Sequence, residues 1–372
     1  MTVGQQIYSG FDSYKKLPEI LHGAGIKKAL LVCGSSFRHL NIREFIESMD
    51  VELVEFSDFG PNPLYEDVCK GVEVFNREHC DAVLAVGGGS AMDVGKCIKL
   101  YCRMEPGKSY LEQECSDTGI PLIALPTTAG TGSESTRFAV IYYQGAKQSV
   151  NHPSIISDHA ILEPSVLKNL PVYQKKCTML DALCQGIEAW WSVNSTAESR
   201  EYSRAAVQMI LENYKPYLRD NSSAAAESIL LAANFAGRAI NITQTTAAHA
   251  MSYKLTSLYG LPHGHAVAVC LPEVWEYMNT HIEDCIDGRG QAYLKDILSQ
   301  IAQALGSETA DKAVRRFRAL LEELELDRPR SGDREKEIAL LAASVNPVRL
   351  KNNPVALSGD VLRNMYERIV KA

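Results

Sequence analysis

The chain has no basic surplus. Its 372 residues carry 38 Lys and Arg against 45 Asp and Glu, a formal charge of -7 and a pI near 5.8. A protein that neutralises a nucleic-acid backbone needs an excess of Lys and Arg, so that class is excluded, although a local basic pocket for a small anion is not. No apolar run approaches the ~20 residues that span a bilayer. The opening MTVGQQIYSG lacks a basic stretch followed by an apolar core, the pattern of a secretory signal, and the expectation is a cytoplasmic protein. The ten cysteines include no C-x-x-C pair, and most sit in apolar segments such as ALLVC around Cys33 and AVAVC around Cys270. They read as buried, reduced thiols rather than metal ligands or nucleophiles. Internal repeats and low-complexity tracts are absent too. What remains is an ordinary globular composition, 46% hydrophobic and 22% charged, in a chain long enough for two domains.

The first half alternates two patterns. KALLVCG (28–34), VELVEF (51–56), CDAVLAVGGGS (80–90) and PLIALPTT (121–128) read as strands. LNIREFIESM (40–49), YEDVCKGVEVFNREH (65–79) and AMDVGKCIKLYCR (91–103) read as helices. Continuous apolar strands between amphipathic helices predict a parallel sheet covered on both faces. Near Pro171 the character changes, and from Tyr173 apolar residues recur at three- and four-residue spacing almost to the end. LDRPRSGD (326–333) and NPVRLKNNPVALSGD (346–360) read as loops. The expected architecture is an α/β dinucleotide-binding domain over 1–171 and an all-helical domain over 172–372.

Two stretches crowd small residues at strand ends. AVGGGSAMDVGK (85–96) sets Gly87, Gly88, Gly89 and Ser90 between a strand and a helix. Glycine lets the backbone approach a ligand, and the helix start offers unpaired N–H groups to a pyrophosphate. Asp93 falls in the first helical turn, either pairing with the dipole or lying beside the cofactor. LPTTAGTGSESTRFAVIY (125–142) contributes Thr127, Thr128, Gly130 and Ser133. Two such loops at neighbouring strand ends can hold opposite ends of one dinucleotide. Neither has the G-x-G-x-x-G spacing of the ordinary Rossmann turn.

Taken together, GGGSAMDVGK, PTTAGTGSE, LDALCQGIEAWWS and AAHAMSYKLTSLYGLPHGHA resemble the iron-containing (group III) alcohol dehydrogenase family, in the family's order and across roughly residues 3 to 370. The resemblance implies a dehydroquinate synthase-like fold, an N-terminal nicotinamide-binding domain and a catalytic divalent metal held by the helical domain. It places metal ligands at Asp181, His249 and His263, a donor set that suits Fe(II) or Zn(II). Where the family has a histidine four residues after the aspartate, this chain has Gln185. A neutral amide is a weaker ligand, so the site has either three protein ligands or a poor fourth. Many relatives carry a histidine four residues beyond the first histidine ligand; here Tyr253 stands there, followed by Lys254. Tyr253 either relays a proton or packs against the cofactor, and His265 is a second candidate shuttle or an outer support.

The loop after the first strand, Gly34-Ser35-Ser36 with Arg38 close by, lacks the acidic residue that repels a 2′-phosphate. NADPH is therefore expected over NADH. Segments such as TRFAVIYYQGAKQSVNHPSIISDHA resemble the phosphonoacetaldehyde reductase subgroup. The resemblance implies reduction of phosphonoacetaldehyde to 2-hydroxyethylphosphonate by a homodimer or larger homo-oligomer. A dianionic substrate needs cations, for which Arg137, Lys176 and Lys254 are the leading candidates, with Lys147 and Lys175 behind them. Sulfoacetaldehyde and uncharged short-chain aldehydes are the alternatives within the class. A dehydroquinate synthase-like lyase and a non-catalytic dinucleotide sensor are the alternatives outside it.

Overall fold

The computed structural model describes residues 4–372. They form two compact units. The first runs to Leu170 and takes in Asn221–Gly237, and the second comprises Pro171–Asp220 with Arg238–Ala372. The segment 221–237, expected with the helical domain, thus belongs to the first unit. Its anchor is polar and buried: Asn234 Nδ2 donates to Glu134 Oε1 at 2.9 Å and to Ser135 Oγ at 2.7 Å.

In the first unit β1 (Gln6–Ser9), β2 (Lys28–Cys33), β3 (Glu52–Phe56), β4 (Ala82–Gly87), β5 (Leu122–Pro126) and β8 (His159–Leu162) build one sheet in the order β1-β8-β5-β4-β2-β3. Every pairing in it is parallel. The central β4 and β5 are buried at every residue, while the edge strands β1 and β3 are partly exposed. That is the burial which near-continuous apolar runs require. Helices α1 (Leu17–Gly23), α2 (Arg43–Glu47), α3 (Tyr65–Arg77) and α4 (Gly89–Tyr101) alternate with the strands. Helix α3 buries Val68, Val72 and Phe75, at spacings of four and three, in the same core as Ile98 of α4. Each such side chain contributes about 1.5–3 kcal/mol by leaving water.

The helix expected over 40–49 shrinks to α2, because Leu40 is extended where it closes a tighter turn over Ser35–His39. Strands β6 (Phe138–Tyr143) and β7 (Ala146–Asn151) form a separate antiparallel hairpin. Gln144 and Gly145 both have positive φ, 50° and 74°, as a two-residue hairpin turn demands.

The second unit is helical throughout: α5 (Val172–Trp191), α6 (Ala197–Arg219), α8 (Ala247–Tyr259), α9 (His263–Thr280), α10 (Gln291–Ala304), α11 (Ala310–Glu323), α12 (Arg334–Ala343), α13 (Pro347–Leu350) and α14 (Gly359–Ile369). Helix α7 (Ser223–Thr243) begins in the first unit and ends in the second. The expected loop over 346–360 thus contains the single turn α13. Helix α5 packs on α6 and α9, and α8 packs on α9. Trp191 and Trp275 meet edge to face at 5.6 Å in the core. The approach of α9 to α5 is closer than any side chain allows: a Cβ on Gly264 would lie 1.9 Å from Cys177 O and 2.9 Å from Asp181 Cβ. Glycine at 264 therefore sets the neighbouring His263 against α5.

Candidate functional site

In the first unit three loops leave adjacent strands on one edge of the sheet. Cys33 is in register with Val86, and Gly87 with Pro126. Gly34–Ser36, Gly87–Ser90 and Thr127–Ser133 thus emerge side by side at the strands' carboxyl ends, where parallel sheets bind ligands. Gly88 is the N-cap of α4 and no side chain caps that helix, which leaves its first N–H groups for an acceptor. Gly34 likewise precedes its turn without a side-chain cap. The two glycine loops press on each other: a Cβ on Gly88 would meet Thr128 Cγ2 at 3.3 Å, and one on Gly89 would meet Thr131 Cγ2 at 3.2 Å.

Not every residue expected at the cofactor keeps a hand for it. Ser133 Oγ donates to Asp93 Oδ1 at 3.3 Å and accepts from Lys96 Nζ at 3.0 Å. The hydroxyl is committed inside the protein. Burial raises the Asp93 carboxyl to about 6, against the pull of the Lys96 ammonium. Lys96 was not singled out by sequence, yet it organises this region. It is buried, and its ammonium donates to Ser133 Oγ, Thr136 O (2.8 Å), Thr136 Oγ1 (3.0 Å) and Phe138 O (2.7 Å). Burial lowers its pKa to about 8, while Asp93 and Glu134 hold it up. Lys96 therefore ties α4 to the loop that runs from Thr127 into β6. A lysine one turn after Asp93 in GGGSAMDVGK was the available signal.

In the second unit Asp181 from α5, His249 from α8 and His263 from the start of α9 converge. One ligand atom from each lies within 4.8 Å of the others. Asp181 Oδ1 is 3.3 Å from His249 Nε2 and 3.8 Å from His263 Nε2. Asp181 and His249 are buried, and His263 is partly exposed. Burial alone would raise the Asp181 carboxyl, but the two imidazoles and the Gln185 amide hold it below its usual range. Gln185 lies one turn after Asp181 and donates to it, while its own Oε1 is buried without a hydrogen-bond partner. Buried lone pairs facing one another are costly unless a proton or a cation lies among them. The donor set of one carboxylate and two imidazoles, with an orphaned amide oxygen beside it, fits a divalent metal.

A residue the sequence reading passed over completes this centre. Glu188 is fully buried, and its Oε2 is hydrogen-bonded to His249 Nδ1. Its Oε1 accepts from Thr246 N, Thr246 Oγ1, Ala248 N and His249 N. Burial works against the His249 imidazolium, but the Glu188 and Asp181 carboxylates outweigh it and raise the pKa. Glu188 follows Asp181 by seven residues, two helical turns, and so shares its face of α5. That spacing was legible in LDALCQGIEAWWS.

The remaining candidates fall in different places. The Tyr253 ring stacks on His263, 5.8 Å between centroids and 6° from parallel. His265 has both nitrogens engaged, Nε2 with Asp327 O at 2.9 Å and Nδ1 with the Tyr173 hydroxyl at 2.8 Å. Burial lowers its pKa. A neutral, doubly bonded imidazole has no lone pair left for shuttling, so His265 supports the start of α9. Lys176 lies five residues before Asp181, roughly 140° around the helix. It lines an open groove of about 210 Å³ with Tyr214, Lys215, Arg219 and Glu323, and its Nζ is 3.5 Å from Glu325. The metal candidates do not line that groove. Lys175 is buried over the Tyr217 ring at 5.0 Å. Lys254 follows Tyr253 on α8 and is partly buried. Arg137 and Lys147 belong to the first unit, Arg137 stacking over Phe138 at 5.3 Å and Lys147 on β7.

Comparison with known proteins finds relatives along most of the chain. Residues 4–164 match the family model described as iron-containing alcohol dehydrogenase, and residues 176–370 match the model of that family's C-terminal part. A phosphonoacetaldehyde reductase of Streptomyces viridochromogenes is 37% identical over 248 residues, 63% of this chain and 63% of that protein. The matched region thus spans somewhat less than two thirds of that relative. A probable alcohol dehydrogenase of Escherichia coli is 31% identical over 318 residues, 82% of this chain and 76% of that one. The crystal structure of sulfoacetaldehyde reductase from Bifidobacterium kashiwanohense in complex with NAD+ superposes with a TM-score of 0.88, at 26% identity, over 98% of this chain and 96% of the other.

Proposed function

Because the chain belongs to the iron-containing alcohol dehydrogenase family, we propose that it exchanges hydride between a nicotinamide cofactor and a small aldehyde, reducing phosphonoacetaldehyde to 2-hydroxyethylphosphonate. The observation that carries the reaction class is the convergence of Asp181, His249 and His263 in the second unit. When bound there, Fe(II) or Zn(II) supplies Lewis-acid polarisation of the substrate oxygen. Asp181, His249 and His263 hold the ion, and Gln185 offers its orphaned Oε1 as a weak fourth donor. Tyr253, stacked on His263, steadies that ring and presents a hydroxyl for proton transfer. In the first unit the aligned loops bind the dinucleotide, with the pyrophosphate on the uncapped start of α4.

NADPH is the preferred cofactor in this reading, since Gly34, Ser35 and Ser36 place no carboxylate at the end of β2 and Arg38 stands nearby, exposed. The anionic substrate rests on the similarity to the Streptomyces enzyme, with Arg137 and Lys254 as the cations assigned to it. Lys176 is the weakest of the three because it faces the groove of Lys215 and Arg219. Sulfoacetaldehyde is the second reading, favoured by the structural neighbour. We further take the protein as a cytoplasmic homo-oligomer whose dinucleotide-binding domain includes the segment 221–237. All ten cysteines are free, and among the described residues no helix is long and apolar enough to cross a membrane.

Initial rates of the metal-supplemented protein with phosphonoacetaldehyde, sulfoacetaldehyde and butyraldehyde, each with NADPH and with NADH, test the proposal. A kcat/KM for phosphonoacetaldehyde at least tenfold above the others supports it. Equal or better turnover of butyraldehyde refutes the anionic substrate, and no turnover of any aldehyde refutes the reaction class.

A further inference from the structure

Glu188 lies fully buried in the second unit, and its partners there are hydrogen-bond donors rather than a lysine or arginine. An ionised carboxylate in such a place costs several kcal/mol unless donors surround it. Its donors come from one source. Thr246 N, Thr246 Oγ1 (2.7 Å), Ala248 N (2.9 Å) and His249 N all donate to Oε1, and the ring of His249 bonds Oε2. Thr246 is the N-cap of α8 and makes no side-chain cap bond of its own. The Glu188 carboxylate does that work from a different helix.

We propose that Glu188 is a positioning residue for the metal centre: by capping α8 and holding His249 Nδ1–H, it fixes the tautomer and ring orientation that present His249 Nε2 to Asp181. The inference rests on the reading of Asp181, His249 and His263 as metal ligands. One oxygen sets where α8 begins, and hence where the His249 backbone lies. The other sets which nitrogen carries the proton. Asp181 and Glu188 share one face of α5 two turns apart, so a single rigid helix supplies both a ligand and the constraint on a second ligand. The second imidazole, His263, stacks on the Tyr253 ring.

The test separates capping from positioning. Glu188→Gln keeps a carbonyl oxygen for the α8 donors but turns an NH2 group toward His249 Nδ1, which forces the ring proton onto Nε2. Zinc affinity of the metal-stripped protein is measured by competition with a chromophoric chelator, together with the absorption spectrum after loading with Co(II) and the unfolding midpoint without metal. The expected result is a 10- to 100-fold weaker zinc affinity and a changed cobalt spectrum at a nearly unchanged midpoint. Zinc affinity within threefold of the parent, with the same cobalt spectrum, overturns the proposal and leaves Glu188 a helix cap. A parent that binds neither zinc nor cobalt overturns the metal reading and this inference with it. Should Glu188→Gln not fold, 15N-histidine NMR of the zinc-loaded parent decides. A His249 ring protonated at Nδ1 is expected, and one protonated at Nε2 refutes the assignment.

Discussion

Gly132→Ala is the sharpest test of how the loop after β5, proposed to bind the cofactor, is built. Gly132 has φ of +56°, and a Cβ there would lie 2.5 Å from Ala233 O, 2.5 Å from Gly237 Cα and 2.7 Å from Gly237 N. Carbon atoms in ordinary contact sit ~3.5–4.0 Å apart, so the overlap is about 1 Å and falls wholly on backbone. The left-handed conformation costs an alanine roughly 1–2 kcal/mol, and forcing a methyl into a packed interior costs about 1–3 kcal/mol. Together that is about 2–5 kcal/mol. Gly145→Ala supplies the control, because Gly145 has φ of +74° with nothing within 4 Å of a Cβ; only the first cost applies. Gly237→Ala supplies the other half, since its Cβ would meet Gly132 O at 2.3 Å while a helix interior otherwise gains about 1 kcal/mol from the same change. The three tryptophans, Trp190, Trp191 and Trp275, all lie in the second unit, so the loop itself is the place to read the damage. Hydrogen exchange over residues 122–143 and NADPH titration are the assays. Gly132→Ala should speed exchange and weaken NADPH at least tenfold, with Gly145→Ala near the parent in cofactor affinity. Equal behaviour of the two variants refutes the packing argument.

Lys96→Met removes one ammonium from four acceptors on Ser133, Thr136 and Phe138, and unsatisfied buried groups cost about 1–3 kcal/mol each. The cofactor KM should rise by more than kcat falls; an unchanged KM contradicts the tie. Asp93 is raised from 3.8 to about 6 chiefly by burial, so its contribution to stability is full below pH 3.8 and is lost as pH rises through about 6. That swing is worth about 3 kcal/mol, and Asp93→Asn lacks it. The parent should therefore lose ground to Asp93→Asn in unfolding free energy between pH 4 and 7, and a difference that does not vary with pH counts against the assignment. Gln185→His replaces an amide whose Oε1 is orphaned with an imidazole, a stronger metal donor. Chelator competition should show tighter zinc binding by at least tenfold, and looser binding rules out residue 185 as part of the ligand face.

The parallel sheet and the metal candidates were legible because their signals are local. A buried strand announces itself as an unbroken apolar run, and KALLVC, AVLAVG and LIALP became β2, β4 and β5. Asp181, His249 and His263 were nominated by the motifs LDALCQGIEAWWS and AAHAMSYKLTSLYGLPHGHA through the family they resemble. What stayed hidden are groups whose meaning depends on distant partners. Glu188 is one acidic residue among 45 Asp and Glu, and only the packing of α5 on α9 and α8 on α9 gives it the start of α8. Lys96 is one lysine on a helix, and its burial follows only from the approach of Thr136 and β6, whose oxygens accept its ammonium. The glycines of PTTAGTGSE were read as access for a ligand, and Gly132 proves to be access for helix α7. A loop pinned by a buried lysine, a buried carboxylate and a glycine-to-glycine crossing is held before any cofactor arrives. Preorganisation of that kind lowers the ordering cost of binding, so the residues that sequence could not nominate set how tightly the nominated ones act.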